Sequence, residues 1–237
     1  MKIKKKANVA ILLTGGSGIR FGSEKQFALA LGKPLMSFAL EELGKSELID
    51  EIFIVAKKET IEKTKQIALT YGNKKVKAII SGGKTRQESG YIALKYLKEY
   101  GLSDDSIVLI QDGDRPNLNQ QLIKENIESA RINKAVVTAI KVTNSIFVSS
   151  NGYEVNKYLN RNEIYIAQTP QTFLFSLIYK AHKKGNKKQS EGITDDASLV
   201  KQLKKDVAIV KGNEKNIKIN YPKDLQLFEK MKGEELP

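Results

Sequence analysis

The sequence has no cysteine, so disulfides, thiolate zinc sites and cysteine nucleophiles are all excluded. Histidine is almost as scarce. His182 is the only one in 237 residues, which argues against a Ser-His-Asp triad and against a histidine-bearing metal cluster. No apolar run approaches the roughly 18 residues of a membrane span. The amino-terminal MKIKKKANVAILL is followed by no small-residue cleavage site of the kind a secretory leader carries. The expectation is a cytoplasmic protein with no membrane partner, long enough to bury a substantial core without staples.

Negative charge is also in short supply. Forty Lys and Arg against twenty-seven Asp and Glu leave a net charge of +13, which favours polyanionic partners. The excess is lysine spread along the chain, with small clusters at Lys2, Lys4, Lys5 and Lys6 and at Lys183, Lys184, Lys187 and Lys188. The second cluster reads as a polar loop. Neither interleaves arginine or aromatics, as a nucleic-acid reader would. Small phosphorylated substrates are therefore expected, with no nucleic acid. His182, beside such lysines, reads as a surface residue.

Short apolar runs alternate with helical patterns. Residues 9–13, 52–56, 76–80, 107–110 and 135–140 are nearly continuous apolar runs, as buried parallel strands should be. Leu118, Leu122, Ile123, Ile127 and Ala130 share one helix face, as do Ile92, Ala93, Tyr96 and Leu97. This rhythm predicts an α/β fold with a doubly wound, mostly parallel sheet. Residues 141–166 alternate polar and apolar around Asn151-Gly152, a two-residue hairpin signal, and predict an inserted β-arm that must pack on something else. A helix is expected from about Phe173 through Leu174, Leu177, Ile178 and Ala181. Late strands are expected at 207–210 and 217–219, with a last helix opened by Pro222. With no repeat or linker, the reading is one domain over 1–237 with an arm at 141–166.

Three loops follow predicted strands. Leu13-Thr-Gly-Gly-Ser-Gly-Ile-Arg-Phe-Gly22 places Thr14, Gly15, Gly16 and Gly18 where backbone amides can approach a phosphate chain, aided by a following helix N-terminus. Arg20 and Lys25 add two cations. The glycines fit neither the dinucleotide nor the P-loop fingerprint. Ser81-Gly-Gly-Lys-Thr-Arg-Gln-Glu-Ser89 places Gly82, Gly83, Arg86 and Ser89 at the carboxyl edge of the sheet, with Thr85 as a helix N-cap. Gln111-Asp-Gly-Asp-Arg-Pro116 offers Asp112 for Mg²⁺ or a substrate hydroxyl, while Asp114 and Arg115 could pair with each other.

LTGGSGIRFGSEKQF, GGKTRQES, QDGDRP, NRNEIYIAQTPQTF, GITDDASLV and NEKNIKINYPKDL occur in an order that resembles the methylerythritol-phosphate cytidylyltransferases and their ribitol-phosphate relatives. The likeness spans roughly residues 8 to 228. It implies a Rossmann-like nucleotidyltransferase that moves CMP from CTP to a polyol phosphate with Mg²⁺. It implies that Arg20, Lys25 and Lys218 are catalytic, that Thr14, Gly15, Gly16 and Gly18 surround the triphosphate, and that Gly82, Gly83 and Ser89 hold cytosine and ribose. Asp112, Arg115, Ser145, Arg161 and Thr169 then fall to the acceptor side. Arg161 would reach across a homodimer.

These residue types suit the reaction. An acceptor phosphate oxygen attacks the α-phosphorus in line and pyrophosphate leaves, so fixed cations are needed rather than an acid, a base or a covalent nucleophile. The nucleotide side keeps the family pattern, while the acceptor side departs from it. Gly113 and Asp114 stand where the family has alanines, and Asn144-Ser-Ile-Phe147 replaces Asp-Thr-Ile-Lys. Asp114 should repel an anionic acceptor unless Arg115 or Mg²⁺ neutralises it, which predicts weaker use of methylerythritol phosphate and leaves a ribitol phosphate as the alternative. A nicotinamide dehydrogenase would want an acidic ribose ligand at the end of the second strand, which instead ends Ala56-Lys57-Lys58. A non-catalytic lysine-rich binding protein explains the charge but not the motifs.

Overall fold

The computed structural model describes residues 5–16, 18–188 and 195–234, without the side chains of Ile19, Lys187 and Lys188. Lys2, Lys4, Ser17 and residues 192–194 of the GITDDASLV motif lie outside the described residues. The elements run β1 (Asn8–Leu13), β2 (Leu29–Ala30), β3 (Lys33–Pro34), α1 (Leu35–Lys45), β4 (Glu51–Ala56), α2 (Ile61–Tyr71), β5 (Val76–Ser81) and α3 (Arg86–Tyr100). They continue as β6 (Ile107–Asp112), α4 (Gln120–Asn133), β7 (Ala135–Lys141), β8 (Ile146–Val148), β9 (Lys157–Leu159), β10 (Tyr165–Leu174), α5 (Phe175–Lys188), α6 (Asp196–Gln202), β11 (Ala208–Lys211) and α7 (Pro222–Gly233).

Seven strands form one sheet in the order β11-β7-β10-β6-β1-β4-β5. All neighbours are parallel except around β10, which runs antiparallel to both β6 and β7. This is the expected doubly wound, mostly parallel α/β sheet. The continuous apolar runs have the expected cause: β4 and β6 are buried at every position, because helices cover both faces. Met36, Leu40 and Leu43 of α1, Ile67 of α2 and Ile123 and Ile127 of α4 fill one side. Leu94 and Leu97 of α3, Phe175 and Ile178 of α5 and Leu199 and Val200 of α6 fill the other.

A third, smaller core bears directly on the site. Phe228 of α7, with Ala30, Leu35 and Ile219, is fully buried, and its ring meets Phe38 edge-on at 5.0 Å. Burying such a ring contributes about 1.5–3 kcal/mol. It pins the segment that carries Lys218. Residues 217–219 are not the expected strand. They alternate in and out as a strand would, with Ile219 inside, but their backbone bonds go to loops: Ile219 N–H donates to the Asp114 carbonyl at 2.9 Å, and the Ile219 carbonyl accepts from Lys25 Nζ at 2.7 Å.

Four other expectations are corrected. The helix begins at Phe175 rather than Phe173, because Phe173 and Leu174 complete the ladder of β10 with β6; α5 then continues through Lys188, so the second lysine cluster is helical rather than a loop. Asn151-Gly152 is not a two-residue hairpin turn. Residues 149–156 join β8 to β9, with Asn151 Oδ1 accepting from the Tyr153 and Glu154 amides at 2.9 and 3.0 Å. His182 is fully buried, with 0% exposure. Its side chain turns inward, away from the exposed Lys183 and Lys184, and meets Asp196 at 2.9 Å.

Candidate active site

The carboxyl ends of β1, β4, β5 and β6 open onto one cleft of about 440 Å³, where a sheet of this type holds its ligand. Gly15 and Gly16 form one wall, Gly83 to Arg86 with Ser89 a second, and Asp112, Asp114 and Lys218 the floor. Lys57 also lines it, as does Lys84. These two cations were not singled out in the sequence, where nothing sets them apart from the other lysines.

The first loop leaves β1 through Thr14, whose N–H and hydroxyl both bond the Val55 carbonyl at 2.8 Å. That fixes the turn and uses the hydroxyl internally. A Cβ added at Gly16 would meet nothing within 4 Å, so protein packing does not demand glycine there and the space belongs to the cleft. Gly18 has φ +67° and a Cβ there would run into the Ser23 carbonyl. No α-helix follows directly: single 3₁₀ turns at Ile19–Phe21 and Lys25–Phe27 do.

The helix N-terminus expected from the first loop comes instead from the second. Thr85 caps α3 by accepting from Glu88 N at 3.1 Å, and Thr85 and Arg86 line the cleft, so the positive end of the helix dipole borders it. Gly82 lets this loop sit close, since a Cβ would lie 2.8 Å from Ser89 Oγ. The same hydroxyl accepts from Gly83 N at 3.1 Å.

The floor is a chain of paired charges. Lys218 Nζ lies 2.7 Å from Asp112 Oδ2 and 3.7 Å from Asp114 Oδ1. Lys25 Nζ lies 2.6 Å from Asp114 Oδ2, and Arg86 Nε 3.0 Å from Asp112 Oδ1. Burial pushes the Asp112 carboxyl up, but the charges of Arg86 and Lys218 outweigh it and hold it well below the usual carboxylate range. Asp114 is thus neutralised by Lys25, not by Arg115. The physical ground for expecting it to repel an anionic acceptor is gone.

Arg115 donates from Nη1 to the Asn216 carbonyl at 2.8 Å and from Nη2 to the Ala167 carbonyl at 3.3 Å. It ties the Lys218 segment to β10. Burial lowers its pKa despite the facing Asp112 and Asp114. Thr169 is buried at a register shift in β10, its hydroxyl accepting from Asp112 N at 3.2 Å. Arg20 is exposed and does not line the cleft; its Nη2 lies 2.9 Å from Asn220 Oδ1 and its guanidinium 5.8 Å from the Tyr221 ring centre, beside the segment that carries Lys218. Ser145 and Arg161 are exposed on the arm, and Arg161 donates to the Thr143 carbonyl at 3.0 Å. Neither lines the cleft of its own chain.

Two carboxylates therefore face the cleft, and Asp114 Oδ1 is buried without a hydrogen-bond partner. No group of three or more acidic or histidine side chains able to enclose a metal occurs among the described residues.

The model of the IspD family, 2-C-methyl-D-erythritol 4-phosphate cytidylyltransferase, matches residues 8–232. The chain is 38% identical over 223 residues to the enzyme of that name from Clostridium beijerinckii, covering 93% of this chain and 96% of the relative. It is 28% identical to a ribitol-5-phosphate cytidylyltransferase from Streptococcus agalactiae, covering 93% of each. The crystal structure of 4-diphosphocytidyl-2C-methyl-D-erythritol synthase from Anaerococcus prevotii superposes with a TM-score of 0.83 at 29% identity, covering 96% of both chains.

Proposed function

The chain belongs to the 2-C-methyl-D-erythritol 4-phosphate cytidylyltransferase family, and from that premise we propose that it transfers CMP from CTP to 2-C-methyl-D-erythritol 4-phosphate. A phosphate oxygen of the acceptor attacks the α-phosphorus of CTP in line. The bond from the α-phosphorus to the bridging oxygen breaks, and pyrophosphate leaves. The observation that carries this reading is the convergence of Lys25 and Lys218 on Asp114 beneath a cleft walled by a glycine loop and a helix N-terminus. Two polyanions must meet there, and fixed cations in a half-buried site stabilise charge growing on the α-phosphate oxygens.

Roles follow position. Gly15, Gly16 and the α3 N-terminus face the triphosphate, and Ser89 with Gly82 and Gly83 receives the nucleoside. Lys25 exchanges Asp114 for phosphate oxygens, while Lys218 stays anchored on Asp112 and turns its remaining protons to them. Asp114, whose Oδ1 has no hydrogen-bond partner, is the carboxylate that would hold Mg²⁺ together with nucleotide phosphates, a sparse donor set that suits this ion; both oxygens of Asp112 are already held by Arg86 and Lys218. Mg²⁺ there supplies neutralisation of phosphate charge.

The arm reading assigns Ser145 and Arg161 to the acceptor site of a second copy, which makes the enzyme a homodimer. Phe147, Val148, Tyr153, Val155 and Tyr158 support it, because all are exposed on an arm with almost no core beneath them. The arm's own packing includes the edge-on pair Phe147–Tyr158 at 5.9 Å. No helix among the described residues is long and apolar enough to cross a membrane, which suits work in the cytoplasm in isoprenoid precursor synthesis.

The test is pyrophosphate release from CTP with Mg²⁺ and, in separate assays, methylerythritol, ribitol and glycerol phosphates. Turnover with methylerythritol phosphate well above the others is expected. Preference for ribitol phosphate would overturn the acceptor, and no release from a folded, CTP-binding protein would overturn the reaction.

A further inference from the structure

The charge chain in the cleft floor does not end at Asp112. Arg86 uses Nε on Asp112 and Nη1 on Asp196, the latter at 2.8 Å. Asp196 is 1% exposed, and its other oxygen meets His182 Nε2 at 2.9 Å. His182, Asp196, Arg86, Asp112 and Lys218 therefore form one unbroken line from the interior to the cleft, across α5, α6, α3 and β6. The transfer chemistry itself calls on only its last members.

Packing alone does not account for the imidazole. His182 Nδ1 is buried without a hydrogen-bond partner, a cost that an apolar side chain of similar size would avoid. Helix α3 makes room for the ring with Gly90, where a Cβ would lie 2.9 Å from His182 Cε1. What the imidazole adds is its contact with Asp196. Asp196, in turn, gives the guanidinium a second fixed point. A guanidinium held by a hydrogen bond at Nε and an ion pair at Nη1 has its plane fixed, which the point charge of a lysine ammonium does not reproduce.

We propose that the buried His182–Asp196 pair is a positioning device for the transfer site, fixing Arg86 and, through Arg86 and Asp112, the Lys218 ammonium. The inference rests on the reading of Lys218 as a cation of the transition state. Asp112 is the hinge of the argument: Arg86 on one oxygen sets the plane of the carboxylate, and so sets where the other oxygen holds Lys218. A small misplacement of such a group costs rate more than affinity.

The variants are His182→Leu, His182→Gln, Asp196→Asn, Arg86→Lys and the Arg86→Lys/Asp196→Asn double. Asp196→Asn and His182→Leu should lower kcat per folded molecule about tenfold while the calorimetric Kd for CTP stays within about twofold. His182→Gln, whose amide can still donate to Asp196, should keep kcat within about threefold. The double variant should be no slower than its slower parent, as members of one chain are not additive. If His182→Leu does not fold, Arg86→Lys and Asp196→Asn carry the comparison. A pair that only staples α5 to α6 would lower the melting temperature and leave kcat per folded molecule unchanged, and that result overturns the proposal. So does an additive double variant. Should the wild type show no transfer activity, the reaction fails but this inference is still decided: the Lys218 Nζ resonance, assigned with Lys218→Arg, must shift in Asp196→Asn, and an unchanged resonance overturns it.

Discussion

Lys25 is held at 9% exposure by a carboxylate and a backbone carbonyl, and a lysine this confined is costly unless its charge is needed. Replacing Lys25 or Lys218 by alanine should remove one charge-assisted contact to the α-phosphate as its charge grows. By comparison with a lost oxyanion donor, this is worth about 3 kcal/mol, or roughly a hundredfold in kcat. Near wild-type turnover in Lys218→Ala would break the assignment. Asp114 makes a different prediction at the same scale. Its partner Lys25 would keep only the Ile219 carbonyl, so Asp114→Ala should destabilise the free enzyme, by about 1–3 kcal/mol for a pair not fully buried. The triphosphate can replace the missing counter-charge. The CTP-induced rise in melting temperature should therefore be larger in Asp114→Ala than in the wild type, and an equal or smaller rise would show that Lys25 does not turn from Asp114 to the nucleotide.

Among the elements, those that sequence reveals best are buried on both faces. Strands β1, β4 and β6 announce themselves because helices cover them on each side, which forces unbroken apolar runs. Strand β10 hides because its buried residues include Gln168, Thr169, Gln171 and Thr172. Each is satisfied by a partner distant in sequence: Gln168 by Asn213, Thr169 by Asp112, Gln171 by Asp195 and Ala197, and Thr172 by Asn126. Hydrophobic periodicity cannot see such partners. His182 was missed for the same reason, since its burial depends on Gly90 and Asp196 on other helices. The segment around Lys218 has the alternation of a strand but no neighbour to pair with. The three glycine and acidic loops were legible because each directly follows an apolar strand, two of them buried (β1 and β6) and one, β5, at the sheet edge.

The arm yields the prediction that belongs to elements. If Arg161 serves the cleft of the partner, Arg161→Ala and Lys218→Ala are defects on opposite sides of a shared site. In a randomly exchanged mixture about half the dimers are mixed, and each holds one site with both defects and one with neither. About a quarter of the wild-type activity should return. No recovery despite demonstrated subunit exchange, or a monomer in sedimentation, would remove the arm from the active site.

At the scale of the whole molecule, the line from His182 to Lys218 ties stability to pH in a stated direction. Asp112 and Asp196 are both buried, which alone would raise them, yet facing charges hold both below the ordinary carboxyl value. The unfolded chain therefore binds protons at a higher pH than the folded one. Their contribution to stability is complete above the unfolded value, about 3.9, and is lost as the pH falls below it towards the depressed folded values. Protonation also adds to a net charge that is already +13, so self-repulsion works in the same direction. The urea midpoint should stay nearly level from pH 7 to 5 and drop steeply below about 4. In Asp196→Asn one of the two carboxyls is gone, and Arg86 loses that counter-charge at every pH. That variant should begin with a lower midpoint at pH 7 and lose less on acidification. If its acid slope equals that of the wild type, the buried line of charge is not what sets the acid limit of this fold.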